Sequence, residues 1–407
     1  MKKISLFGYG KTTRAIALKH KQQNHNTSEV TFYDDKVSKP FKDEDGFMLK
    51  PSSEFEPKYS TLEIPSPGIP PSHPLVQKAQ NLISEYDYFA DTMPHSIWIS
   101  GTNGKTTTTQ MMQHLLQNKG SVAGGNIGTP LAELDANESI WILETSSFTM
   151  HYTNRAKPNI YVLLPLSPDH LSWHGSMQEY TQAKLKPLRF MKEGEVAIVP
   201  KAYKNTPTKA HLICYEDEND LAEHFCIDIK QVNFQGAFLL DALLAMAIDK
   251  ILFDRIDYEK INAFTLDPHR QEELRDAQGR LWVNDTKATN LDATIAALKR
   301  YKESKIHLIL GGDDKGVELN ELFEFMKNLQ LHTYHIGSNK QKLSSLASSY
   351  AIDFTECKNL SDAIMQIDAN LLKNEVALLS PAAASLDEFS SYAQRGDQFK
   401  EAVKNIS

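Results

Sequence analysis

The run Gly101-Thr102-Asn103-Gly104-Lys105-Thr106-Thr107-Thr108 is the part of this 407-residue chain whose residue types and spacing point most directly to chemistry. It follows an apolar run at 96–100 and precedes a helical pattern over 109–118. A strand feeding a glycine turn that opens a helix presents backbone N–H groups and the positive dipole end to a polyphosphate. In that frame Gly101, Thr102, Asn103 and Gly104 cradle phosphate and Lys105 reaches the β and γ oxygens. Thr106, with Thr107 behind it, offers a hydroxyl to Mg2+. Gly101 stands four residues before Lys105, so the strict phosphate-loop pattern, with its earlier first glycine, fails. The competing reading is an ordinary glycine turn that holds a lysine. Correct flanks and a run of threonines favour a nucleotide triphosphate.

Two further stretches could bring acids and bases to that loop. The apolar run 141–143 delivers Glu144 to a strand end beside Thr145-Ser146-Ser147-Phe148, a usual place for a carboxylate that holds Mg2+ opposite a phosphate-loop threonine. A surface or helix-capping glutamate is the plainer alternative. After the strand expected at 160–164, His170 in Pro168-Asp169-His170 stands at a strand end, well placed as a second-metal ligand. His174 follows four residues later, but no third ligand of zinc-site spacing is visible, so it is expected to be structural or solvent-facing. Near the start, Gly8-Tyr9-Gly10 follows a strand, but Thr13 replaces the third glycine of a dinucleotide fingerprint, so a nicotinamide site is weakly supported.

Gly-Thr-Asn-Gly-Lys-Thr-Thr resembles the short phosphate loop of the Mur ligases and the related folylpolyglutamate synthases, and further blocks of the same kind follow in order over nearly the whole chain. The resemblance implies three domains and ATP-dependent amide formation through an acyl phosphate. In that family the glutamate of Glu-x-Ser-Ser-Phe binds metal, which carries the role to Glu144. Lys184, in Tyr180-Thr181-Gln182-Ala183-Lys184, corresponds to a lysine that several members carry as a carbamate able to support a second Mg2+; from its sequence surroundings alone it reads as a solvated lysine. The first glycine turn would take the UDP part of the substrate, with Gly10, Lys11 and Thr12 near the diphosphate and Asp35 or Lys36 near uridine; Ser66 is a further expected substrate contact. The family is usually less acidic near Asp35, which leaves uridine recognition open. Gly124-Gly125-Asn126-Ile127-Gly128-Thr129-Pro130 also matches, with Asn126 toward the muramoyl portion, and Ser146 is a further expected substrate contact.

The last third resembles the same family in Pro268-His269-Arg270, Asn284-Asp285-Thr286-Lys287-Ala288-Thr289-Asn290 and Gly311-Gly312-Asp313-Asp314-Lys315. Arg270 and Asp285 are expected to meet ATP, guanidinium to phosphate and carboxylate to ribose. Lys287 and Lys315 are expected to meet an amino-acid carboxylate or the transferring phosphoryl, and Thr289 is a further expected substrate contact. Taken singly, each could be a turn residue or a solvated charge. Ser380-Pro381-Ala382-Ala383-Ala384-Ser385-Leu386-Asp387-Glu388-Phe389, continuing past Tyr392 to Gln394-Arg395-Gly396, resembles the amino-acid end of the branch that adds D-glutamate, with Ser385 and Leu386 on its side-chain carboxylate. The Asp-Asn-Pro-Arg block of the branches adding diaminopimelate or lysine is absent, and Asn103 stands where the L-alanine-adding branch has histidine. The implied substrates are UDP-N-acetylmuramoyl-L-alanine and D-glutamate, and the implied cofactors are ATP with two Mg2+. One departure concerns adenine: the family's His-Asn pattern is replaced by Ala237-Phe238-Leu239-Leu240-Asp241-Ala242, where Phe238 reads as core.

These residues need elements to hold them. Short apolar runs alternate with helical patterns throughout, as in parallel βαβ units, so the class is α/β. A Rossmann-like domain is expected over 1–92, with strands at 4–7 and 30–33, a helix from Thr12 and one continuous helix over 75–90. A central phosphate-loop ATPase domain with a parallel sheet follows over 93–267. A C-terminal Rossmann-like α/β domain covers 268–407, with hairpin-like strands at 272–274 and 281–283, then strands at 306–310, 331–336 and 376–379. Because Arg270, Lys287 and Lys315 stand on a different domain from the phosphate loop, the reaction is expected to need domain closure.

Composition narrows the partners. Hydrophobic residues make up 41% and charged residues 24%, ordinary for a globular chain. No apolar run nears the roughly 18 residues of a membrane span. The opening Met1-Lys2-Lys3 mimics a leader, but its apolar stretch stops at Gly8 with no small-residue cleavage site, so a first strand is expected instead. Cys214, Cys226 and Cys357 lack paired spacing, which suits a reducing cytoplasm. The net charge of −8, without a basic cluster interleaved with aromatics, argues against nucleic acid. A monomer is expected. A phosphate-loop kinase or motor ATPase, a non-catalytic nucleotide-binding regulator and a folylpolyglutamate synthase are the rivals, although the synthases commonly differ at Thr106-Thr107.

Overall fold

The computed structural model describes residues 3–24 and 29–406, so Met1 and Lys2 of the leader-like start lie outside the described residues. The chain folds as two compact units, one of residues 1–166 and 173–264, the other of 167–172 and 265–407. Among the described residues no helix is long and apolar enough to cross a membrane.

The first unit holds two sheets. One comprises β1 (Ile4–Phe7), β2 (Val30–Asp34), β3 (Phe41–Lys42), β4 (Met48–Pro51) and β5 (Leu62–Pro65) in the order β3-β4-β2-β1-β5, parallel except for the β3–β4 pair. The other comprises β6 (His95–Ser100), β7 (Ser121–Gly125), β8 (Ile140–Glu144), β9 (Ile160–Leu163), β10 (Val196–Pro200) and β11 (His211–Tyr215) in the order β11-β10-β9-β6-β8-β7. Its pairs are all parallel. Strands covered on both faces read as continuous apolar runs, and every residue of β8 and β9 is buried. One apolar core runs from Leu6 and Phe32 of the first sheet to Trp98, Leu143 and Tyr161 of the second.

The second unit has a single sheet of β12 (Glu272–Arg275), β13 (Leu281–Asn284), β14 (Ile306–Gly311), β15 (Leu331–Ile336), β16 (Phe354–Glu356) and β17 (Val376–Leu379), ordered β12-β13-β17-β14-β15-β16. The β12–β13 pair is antiparallel, as the hairpin pattern implied, and the rest are parallel. The α/β class is therefore observed.

Helices follow the glycine turns, α1 at Lys11–Asn24 and α4 at Lys105–Leu116. The continuous helix expected over 75–90 is corrected: it is two short helices, α2 (Pro74–Lys78) and α3 (Glu85–Phe89). Ala79 turns extended (φ −63°, ψ 142°), and Leu82 bridges Glu63 beside β5. There Asn81 N–H donates to the buried Glu63 carboxylate at 2.6 Å. Ser84 then caps the new helix by accepting from Asp87 N–H at 3.0 Å. Apolar spacing carried helical periodicity across this interruption, and a strand pairing overrode it. Helix α5 (Ser147–Tyr152) starts directly after β8.

Candidate active site

In the central sheet, β6 and β8 are parallel neighbours with Ile99 opposite Glu144, so the loop that follows Ser100 and the Glu144 carboxylate leave the same sheet edge side by side. Gly104 caps α4 with φ 81°, and a Cβ there would run into the Asp241 carboxylate. That carboxylate is itself held by Thr108 Oγ1 at 2.9 Å, so the turn admits glycine alone. Lys105 Nζ folds back to donate to the Thr102 and Gly101 carbonyls at 2.7 and 3.0 Å. Thr102 is tied down by N–H to Pro165 O (3.2 Å) and by its hydroxyl to Tyr180 Oη (2.9 Å). Asn103 and Thr106 are partly exposed at the helix mouth, whereas Thr107 is buried. Asp241 and Phe238 lie on the buried helix Ala237–Phe253, as the core reading of Phe238 expected.

Glu144 is buried, and its two oxygens differ. Oε1 accepts from Asn126 Nδ2 at 2.6 Å, while Oε2 is buried with no hydrogen-bond partner. An uncompensated carboxylate oxygen at a phosphate-loop edge is costly unless a cation completes it, so Glu144 suits a metal ion. Among the described residues no three His, Cys, Asp or Glu side chains cluster to hold a metal by themselves. Lys184, on the helix Met177–Leu185, is buried rather than solvated. Its Nζ donates to Gly101 O at 2.7 Å and Ser100 Oγ at 3.3 Å and lies over the Tyr180 ring. Ser146 is spent locally, capping α5 by accepting from Thr149 N–H at 3.0 Å. His174 is structural: its Nε2 meets Ser147 Oγ at 2.9 Å, and its ring stacks on Phe148.

The first glycine turn is closed differently. Thr13 Oγ1 donates to Gly8 O at 2.6 Å and lies 3.1 Å from Gly10 N–H, filling the place of a third glycine. Lys11 Nζ donates to Gly128 O, and Thr12 is partly exposed on α1. Ser66 meets Phe7 O through its N–H at 2.8 Å, which brings it beside Gly8 and Gly10. Lys36 is exposed, and Asp35 pairs with His73 Nε2 at 3.0 Å. Hydrogen bonds from Ser52 and His73 hold the Asp35 carboxyl below its usual range. Sequence reading missed Asp34. Its carboxylate accepts from Tyr9 N–H at 2.7 Å and Lys36 N–H at 2.8 Å, joining the glycine turn to the end of β2. An acidic residue at the end of a second strand was the available signal.

In the second unit, the predicted residues gather at the ends of β13, β14 and β17. Asp285 follows β13 and is buried, accepting from Ser380 Oγ at 2.9 Å and Gln271 N–H at 3.2 Å. Burial pushes its carboxyl up to about 7. Arg270 lies between His269 and Gln271, both with positive φ, and its Nε is buried without a hydrogen-bond partner. Lys287 Nζ lies over the Tyr392 ring at 5.4 Å, and Thr289 N–H donates to Lys287 O at 3.0 Å. Lys315 (φ 55°) reaches Asp169 Oδ1 at 3.6 Å. His170 (φ 53°) stands beside that aspartate in the segment 167–172, which packs with this unit although the chain on either side belongs to the other. Ser385 is buried, and Leu386 is 73% exposed. Of the eight non-glycine residues with positive φ among the described residues, five (His170, His269, Gln271, Lys315 and Ala382) lie in these segments, where backbone strain commonly marks ligand loops. Also missed was a role for Arg395. Its buried guanidinium donates to Thr286 Oγ1 (2.9 Å), Thr286 O (3.0 Å) and Ala383 O (3.1 Å), clamping the loops after β13 and β17. Burial lowers it to about 10.

Residues 99–213 match the Mur ligase middle domain. The chain is 58% identical to the UDP-N-acetylmuramoylalanine--D-glutamate ligase of Campylobacter jejuni subsp. jejuni serotype O:23/36 (strain 81-176), over 99% of this chain and 100% of that one. The chain belongs to the Mur ligase family. A second member, the ligase of the same name from Helicobacter pylori strain J99, is 49% identical over 98% of this chain and 99% of its own. Among solved structures, the MurF ligase from Thermotoga maritima in complex with ADP superposes with a TM-score of 0.58 at 17% identity, covering 93% of this chain and 96% of that one. At that identity the likeness is one of fold, and the three sheets of this chain are those of a three-domain Mur ligase. The segment matching the Mur ligase middle domain contains the glycine turn Gly101 to Gly104, Lys105, Glu144, His170 and Lys184.

Proposed function

We propose that the chain ligates D-glutamate to UDP-N-acetylmuramoyl-L-alanine at the expense of ATP, in peptidoglycan synthesis in the cytoplasm, the activity for which its bacterial relatives are named. The observation that carries the reading is the side-by-side exit of the glycine turn and Glu144 from one sheet edge, with Glu144 Oε2 left bare.

Amide formation from a carboxylate is uphill in water, so the L-alanine carboxylate first takes the γ-phosphoryl of ATP. The resulting acyl phosphate is then attacked by the D-glutamate amine, and phosphate leaves from the tetrahedral intermediate. In this reading the glycine turn Gly101 to Gly104 and the N–H groups at the start of α4 hold the polyphosphate, while Thr102 N–H stays on Pro165 O. Lys105 leaves its two carbonyl partners for the β and γ oxygens. Thr106 and Glu144 would hold one Mg2+, with His170 and Lys184 toward a second; bound magnesium would neutralise charge on the transferring phosphoryl. The buried Lys184 amine suits carbamylation: a carbamate keeps an N–H for Gly101 O and adds two acceptor oxygens. Gly10, Lys11, Thr12 and Ser66 are assigned to the UDP diphosphate, Asp35 and Lys36 to uridine, and Asn126 and Ser146 to the muramoyl part. Arg270, Asp285 and Lys287 are assigned to ATP. Thr289, Lys315, Ser385, Leu386 and Tyr392 are assigned to the amino acid, and Lys315 also to the phosphoryl.

The test is ADP formation by the purified chain with Mg2+, UDP-N-acetylmuramoyl-L-alanine and a panel of amino acids. Release stimulated by D-glutamate above L-glutamate, L-alanine and L-lysine is expected. Release needing no amino acid would point to a kinase or motor ATPase, and tight ATP binding without turnover to a regulator.

A further inference from the structure

Glu85, Tyr86 and Asp87 open the five-residue helix α3, and all three are buried. A surface helix buries one stripe, so three consecutive buried residues mean that each enters a different neighbour. Glu85 Oε1 accepts from Leu131 N–H at 2.8 Å, at the far end of the turn that carries Asn126. Tyr86 packs edge-on against Trp98 with centroids 4.7 Å apart, and its hydroxyl donates to Glu144 O at 3.3 Å. That same carbonyl accepts from Asn126 N–H at 2.9 Å. Asp87 accepts from Asn154, Arg155 and Ala156 N–H at 2.7, 2.8 and 2.7 Å, fixing the chain that leaves α5. Gly125, between these contacts, has φ 82°, and a Cβ there would collide with Glu144 O and lie 2.8 Å from Tyr86 Oη. The turn therefore has no slack, its near end fixed by Tyr86 with the Glu144 carbonyl and its far end by Glu85.

We infer that Glu85 and Tyr86 are positioning residues for the Asn126–Glu144 pair: they aim the bare Glu144 oxygen and the Asn126 turn, and so set the affinity for a divalent cation and for the nucleotide sugar while touching neither. The inference rests on the proposed roles of Glu144 and Asn126. Burial pushes the Glu85 carboxyl up to about 8, against the pull of the Leu131 and Ala132 N–H groups, so a neutral glutamine is its conservative mimic.

The experiment compares the full-length wild type with Glu85→Ala, Glu85→Gln and Tyr86→Phe. Mn2+ binding is followed by electron paramagnetic resonance in the presence of ADP, nucleotide-sugar binding by calorimetry, and folding by circular dichroism. Glu85→Ala and Tyr86→Phe are expected to weaken Mn2+ and nucleotide-sugar binding by about tenfold, the scale of losses behind metal ligands. Glu85→Gln should stay within about twofold of wild type, and the KM for D-glutamate should be unmoved in all three. Folded Glu85→Ala and Tyr86→Phe proteins that bind both ligands as wild type does would overturn the inference. So would losses spread equally over D-glutamate. If Glu85→Ala does not fold, Tyr86→Phe, which keeps its ring on Trp98, decides alone. A wild type that makes no ADP would count against the ligase reading, while the Mn2+ arm still decides the positioning role.

Discussion

The two glycine turns of the first unit begin alike and finish differently. Both follow a buried parallel strand and open a helix, one at Gly8 to Lys11 and one at Gly101 to Lys105. In the first, side chains close the turn from within: Thr13 serves Gly8 and Gly10, and Asp34 takes Tyr9 N–H. In the second, Asp241, held by Thr108, lies against Gly104, the helix-start lysine folds back on the turn's own carbonyls where Lys11 of the first reaches Gly128 O, and a half-committed carboxylate stands on the neighbouring strand. A turn satisfied by its own threonine and faced by an aspartate suits a ligand of modest charge. A turn whose lysine rests on its own carbonyls, with a metal-ready carboxylate beside it, suits a triphosphate that reacts. The difference teaches that strand, glycine and helix set only where a phosphate can sit, and that the side chains behind the turn set which one.

Exchanging the lysines breaks this comparison most sharply. Lys105→Ala is expected to lower kcat by about a thousandfold or more, because the charge it meets is largest in the transition state. Lys11→Ala should cost about tenfold, confined to the KM for the nucleotide sugar. Equal effects in the steady-state kinetics of the two variants would remove the distinction. Next in size, Glu144→Gln should lower turnover on the order of a hundredfold and raise the Mg2+ concentration at half-saturation. An unchanged Mg2+ titration would take the metal away from that strand end. Lys184→Ala should lose about tenfold or more and recover part of it with added short carboxylic acids, which stand in for a carbamate. Absence of rescue would leave Lys184 as a brace for Gly101 and Ser100.

The smallest effect concerns the second unit and is one of stability. The Asp285 carboxyl is raised by burial from 3.8 to about 7, so the folded chain holds a proton that the unfolded chain releases, and stability falls as pH rises between those values. Thermal melts of Asp285→Asn against wild type should therefore show a smaller loss, or a gain, at pH 8 relative to pH 5. The opposite trend would mean that the buried carboxylate is compensated by charge.

Much of this was legible in the sequence because it depends on local rules. The strand runs at 96–100 and 141–143, the glycine turns and the hairpin at 272–283 follow from periodicity and turn chemistry, and the resemblance supplied the order of the site blocks. What stayed hidden depends on long-range partners. The interruption of 75–90 needs β5 alongside it, and the Tyr9 N–H that Asp34 accepts is brought to it only when β2 lies next to β1. Burial of Glu85, Tyr86 and Asp87 in succession has no periodic signature, and Lys184 reads as solvated until its helix is packed beside the phosphate loop. Arg395 is invisible for the same reason, since its carbonyl partners come from loops up to 109 residues away in sequence.

The most direct test is a crystal structure of the chain with a non-hydrolysable ATP analogue, Mg2+ and UDP-N-acetylmuramoyl-L-alanine. The account predicts the triphosphate over Gly101 to Thr106 with a cation on Glu144 Oε2, and the UDP diphosphate at Gly10 to Thr12. A triphosphate seated at Gly8 to Gly10, or a cation that ignores Glu144, would contradict it.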